Sequence, residues 1–143
     1  MHRVDRLPGG VAGLINSIPD GDIPRCLGLL TASVIDVADV YSAEIAEAMT
    51  QWRERGTASE RSRAHLRSVV ARYDLEAFVK QRQGDLDKQR ESFRRARAVE
   101  CLATVVEGSG QEPRTVLRES VYDAVAAMGG TGGVVGILAD FVV

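Results

Sequence analysis

Cysteine is scarce in this chain: there are only Cys26 and Cys101, far apart, and neither belongs to a CxxC pair. With two histidines and no Cys/His cluster, the spacing that holds a structural zinc ion is missing, as is the disulfide framework of a small secreted domain. Both cysteines lie among apolar neighbours and read as buried thiols. Aromatic residues make up 5% of the chain, which leaves few rings on which bases could stack. Neither sign of charge dominates: 18 basic and 20 acidic residues give a net charge of −2 and no whole-chain reason to expect nucleic acid. No apolar run approaches the ~18–20 residues a bilayer needs, so no membrane span is expected. Disorder is excluded by an apolar content of 45% with balanced charge. The N-terminal residues show no export or transit pattern, and the expectation is a cytoplasmic chain. A length of 143 residues is one domain's worth.

What is present is helical periodicity. Residues 1–23 read as a loose N-terminal arm, punctuated by Leu7-Pro8-Gly9-Gly10 and by Pro19 to Pro24, with a short helix between the two. From there, Leu27, Leu30, Val34, Val37, Ala38, Tyr41, Ile45, Ala48, Met49 and Trp52 fall in one stripe at helical spacing. The pattern predicts one long amphipathic helix, with Asp22 as its cap, Pro24 in its first turn and Gly56 just beyond its end. Its first half is also apolar off the stripe, at Leu29, Ile35 and Val40. Thr57 or Ser59 caps a second helix, whose Leu66, Val69, Val70, Tyr73 and Ala77 share a face. Leu75, Phe78 and Val79 lie well off that face, so the second half of this helix shifts its contact surface or is covered on two sides. Gly84 and Asp85 close it and open a third, polar to Arg97 and strongly apolar from Ala98 to Val106. A further helix spans about Pro113 to Met128.

The end of the chain is different. Gly129 to Gly133 reads as a glycine hinge, followed by an apolar tail carrying Ile137, Leu138 and Phe141. Such a tail must leave water, either on its own bundle or on a second chain. Its pattern does not decide between helix and strand. No segment alternates with period two, so the fold class is all-α: a four- to five-helix bundle or short helical array, with residues 24–128 as the core and 129–143 as hinge and tail.

Tyr73, Ala77, Gly84, Asp85, Asp87, Phe93 and Ala96 sit at the large, small, turn and aromatic positions of a helical hairpin. Over residues 70–100 this pattern resembles a single tetratricopeptide repeat. Glu76, Lys80 and Gln89 depart from that family's pattern, and neither flank supplies a second repeat. The resemblance implies a tightly packed hairpin that binds a peptide or partner rather than a catalyst.

No constellation for chemistry stands out. Asp36, Asp39, Glu44 and Glu47 lack the accompanying histidine of a helical di-metal site, and Asp36 and Glu47 fall opposite the apolar stripe. Asp20-Gly21-Asp22 lacks the alternating ligands of a calcium loop, and the glycine run lacks the lysine of a phosphate cradle. His65 stands among arginines without a nucleophile to serve. No catalytic, cofactor or metal residue is therefore assigned. Charge is uneven along the chain: residues 53–97 hold thirteen basic and seven acidic side chains, between acidic flanks. Arg90, Arg94 and Arg97 share one helical sector, as an anion-binding stripe would. The leading expectation is a non-catalytic protein–protein interaction module, a regulatory, adaptor or assembly subunit that self-associates. Its contacts would run through Leu29, Ile35, Val40, Ile137, Leu138 and Phe141. The alternatives are a nucleic-acid accessory protein using the arginines, and a helical pocket for a small apolar ligand lined by Trp52, Tyr41 and Phe93.

Overall fold

The computed structural model describes residues 3–142. Among these residues all regular secondary structure is helical, without strands. A 3-10 turn at Arg3–Arg6 leads to α1 (Val11–Ser17); a second 3-10 turn precedes α2 (Ile23–Ala38). Then follow α3 (Ala43–Arg55), α4 (Glu60–Arg82), α5 (Leu86–Glu107), α6 (Pro113–Met128) and α7 (Gly132–Ala139). The all-α class holds, with seven α-helices among the described residues rather than four or five.

Two features account for the extra helices. The expected long helix is broken between Ala38 and Ala43. Asp39 adopts a left-handed conformation (φ 53°), its N–H bonding Asp36 O at 3.1 Å while Val40 N–H reaches back to Ile35 O at 3.4 Å. That pair of bonds is a Schellman stop, which brings the residue after the turn onto an apolar residue in the helix's last full turn. Those residues are Val40 and Ile35, and both are buried in the core. Ser42 then caps α3, its Oγ accepting from Ile45 N–H. The other source is the two ends of the chain. The stretch read as a loose arm puts Val4, Val11, Ile15 and Ile18 in the core, and the tail forms α7, with Val134 and Leu138 fully buried. The glycine run is a helix stop and a helix start rather than a free hinge: Gly129 (φ 73°) ends α6, and Gly132 opens α7.

The remaining boundaries follow local chemistry. Gly56 (φ 77°) ends α3, and Ser59 rather than Thr57 caps α4 by accepting from Ser62 N–H. Thr57 instead donates its hydroxyl to Val106 O on α5. Gly84 (φ 76°) and Asp85 make the tight turn from α4 to α5, with Asp85 Oδ1 accepting from Lys88 N–H.

The apolar second half of α5 is the axis of the molecule. It packs on α4, α6 and α2, with Val99, Leu102, Ala103 and Val106 buried. The two free cysteines are enclosed as expected, and burial pushes the Cys26 thiol up to about 11. Arg114 on α6 binds the N-terminal stretch. Its guanidinium donates to the carbonyls of Ile15 (2.5 Å) and Ile18 (2.9 Å) at the end of α1 and also pairs with Asp20. The α7 helix lies across α1, α2 and α6 and settles the question of the tail: it docks on its own chain as a helix.

Candidate functional site

The residues expected to meet a partner separate into two groups. Ile35, Val40 and Leu138 are buried within their own chain, the first two by the Schellman stop and the third by α7 docking, so the core rather than the surface holds their side chains. Ile137 and Phe141 are half-buried against the same core, and Phe141 also packs below the Arg25 guanidinium. Leu29 alone of the six stays open, at 44% exposure.

Five of the eight exposed large apolar side chains among the described residues lie elsewhere, on the α4–α5 hairpin. The α4 helix is 23 residues long and turns Leu66, Val69, Val70 and Ala77 inward. At 100° per residue the opposite side carries Ala64, Ser68, Ala71, Leu75, Phe78 and Arg82, spaced alternately four and three apart. All six are exposed, Leu75 at 64% and Phe78 at 55%, with Val79 beside them at 42%. This is the seam of a heptad, with small residues on the N-terminal half and large ones on the C-terminal half. Leu86 and Phe93 add exposed apolar surface on α5. The hairpin is stiffened across its width. Arg67 is forked over Glu107 (Nε–Oε1 2.7 Å) and Glu100 (2.6 Å), and Arg97 holds Asp74 at 2.9 and 3.0 Å. These carboxylates raise the already high pKa of Arg67 further. At the small positions assigned by the repeat resemblance, Ala77 and Ala96 are buried; Phe93 is exposed.

The arginine sector does not form a free stripe. Arg97 is committed to Asp74 and lies over the Phe93 ring, 5.5 Å from its centroid. Arg94 lies against Gly129, so close that a Cβ there would stand 2.5 Å from its guanidinium. Arg90 retains only a long contact with Asp87 at 3.9 Å. The side chains that helical spacing aligned are thus divided among three different neighbours.

Of the three residues expected to line an apolar pocket, only Trp52 does so. Tyr41 is 63% exposed beyond the end of α2, and Phe93 belongs to the hairpin surface. The cavity, of about 620 Å³, opens between the N-terminal half of α2 and the C-terminal half of α3. Among the described residues no group of histidine, cysteine and carboxylate side chains is arranged to hold a metal ion, and no helix is long and apolar enough to cross a membrane. One carboxylate is buried away from both surfaces: Asp123 on α6 accepts from the Thr104 hydroxyl at 3.2 Å. Burial, followed by the charge of Glu100, pushes its pKa up to about 6.

Comparison with protein-family models, with curated proteins and with solved structures finds no match to this chain.

Proposed function

We propose that this protein is a non-catalytic, self-associating helical module, a regulatory or assembly subunit whose first partner is a second copy of itself. The observation that carries this reading is the outer seam of α4. Three large apolar side chains, Leu75, Phe78 and Val79, stand in water on a helix already packed on its other side. Covering the exposed part of each contributes roughly half of the ~1.5–3 kcal/mol that fully burying such a side chain is worth. A second copy fits that seam by its own pattern. In an antiparallel pair about a two-fold axis, residues i and j meet reciprocally. Ala71 of one chain then faces Leu75 of the other, and Ser68 faces Phe78, so that each large side chain enters a gap left by a small one. The peptide- or partner-binding role implied by the tetratricopeptide resemblance concerns the same hairpin and agrees with this reading.

Light scattering on the full chain tests it. The expected result is a dimer that the double variant Leu75→Asp, Phe78→Asp converts to a monomer, with unchanged helical circular dichroism. Placing two charges in the seam should weaken association by at least ~100-fold, about 2.7 kcal/mol. Leu29→Asp, on a different exposed surface, should leave the dimer intact. A monomeric wild-type chain at high concentration, or a dimer that survives the double substitution, overturns the proposal.

A further inference from the structure

The cavity between α2 and α3 is a consequence of where the helices part. After the turn at Asp39 the two helices stand apart, and the space between Pro24–Ala32 of α2 and Met49–Gly56 of α3 is lined from α5 by Leu102. Two small residues on α2 keep the gap empty. Gly28 sits in mid-helix, where glycine costs about 1 kcal/mol relative to alanine, and Ala32 follows one turn later. A Cβ at position 28 would lie 3.6 Å from the Trp52 ring, so any longer side chain there would close the space. The facing wall is Met49 and Trp52. The walls are predominantly apolar, and no acidic side chain is among the residues that line them.

The charged side chains that line the cavity are both arginines, one of them hydrogen-bonded to Asp22. Arg53 on α3 has no ion-pair partner among the described residues, and Arg25 on α2 shares a contact with Asp22 at 2.9 Å while remaining 73% exposed. Two guanidiniums over an apolar slot match a ligand with an apolar body and a carboxylate head, which a guanidinium can bind through two parallel hydrogen bonds. The dimensions favour a small molecule. The volume falls within the ~300–1,000 Å³ typical of small-ligand sites. The α2 edge from Pro24 to Ala32 is about 12 Å long at 1.5 Å per residue, roughly two turns and too short to seat a partner helix of ordinary length.

We propose that this cavity is a binding site for an aliphatic carboxylate, with the chain held between Gly28, Ala32, Met49 and Trp52 and the head group on Arg53 and Arg25. The site lies on a different surface from the α4 seam and does not depend on it.

Trp52 is the sole tryptophan of the sequence, so its fluorescence reports this site alone. Titration with decanoate, kept below its micelle-forming concentration, should give a saturable change in Trp52 emission. Decan-1-ol, with the same chain and no charge, should bind more weakly. Arg53→Glu should weaken decanoate by about tenfold, or ~1.4 kcal/mol, and leave decan-1-ol unchanged. Gly28→Leu should abolish both responses, and Ala32→Leu provides a second way to fill the space should the first variant fail to fold. The Leu75→Asp, Phe78→Asp variant should bind decanoate as the wild type does. No saturable response, an affinity indifferent to Arg53→Glu, or binding retained by a folded cavity-filling variant overturns the proposal.

Discussion

Asp123 is a carboxylate on α6 enclosed by charges from two other elements. Glu100 and Arg97 face it from α5, Thr104 donates to it, and Arg3 approaches from the N-terminal turn. Its pKa of about 6 lies above that of an exposed aspartate, so the folded chain keeps a proton that the unfolded chain has already released. Between about pH 4 and pH 6 the native state therefore binds more protons, and stability falls as pH rises through that window and then levels off. Asp123→Asn keeps an acceptor for Thr104 and removes the charge. It should stabilise the protein at pH 7 by on the order of 2–3 kcal/mol and have little effect below pH 4, as read from urea unfolding across that range. At this scale the sequence is legible where chemistry is local. Gly56, Gly84, Asp85 and Ser59 act as their residue types predict, because a cap or a positive φ needs only its immediate neighbours. It is not legible for the arginines, whose partners Asp74 and Gly129 lie far away in sequence. A helical wheel aligns side chains but does not show what draws each one aside.

Among the elements, the break at Asp39 decides most. The stripe from Leu27 to Trp52 is continuous in helical phase, and nothing in its period marks an interruption. The stop is written in a non-glycine residue with positive φ, which local preference disfavours and the buried pair Ile35 and Val40 maintains. The interruption leaves Val37 and Tyr41 in solvent although the periodicity places them in the apolar stripe. Asp39→Val should destabilise the protein by about 1–2 kcal/mol, because a β-branched side chain is strained in the left-handed region, whereas Asp39→Gly should not. Denaturant midpoints of the two variants check this. The α4 seam was half legible: Leu75, Phe78 and Val79 were recognisable as off the main face. Whether that second face was covered by the chain's own helices depended on tertiary packing, which periodicity does not contain.

For the whole molecule, the fold class was legible because no segment alternates with period two; the roles of the two ends were not. An apolar tail reads the same whether it docks at home or abroad, and the structure places Leu138 at zero exposure within its own core. Leu138→Ala should therefore cost about 2–5 kcal/mol of folding stability without changing the mass measured by light scattering. A tail acting between chains would show the opposite pattern. The Arg114 clasp carries a different consequence, one of timing. The carbonyls of Ile15 and Ile18 emerge from a ribosome about a hundred residues before the guanidinium that receives them. The α4–α5 hairpin, whose contacts are near in sequence, can form while synthesis continues, but Val11, Ile15 and Ile18 have no α6 to rest on until α6 itself has been made. These apolar turns therefore wait for shelter, and a nascent chain stalled before α6 would display them to chaperones.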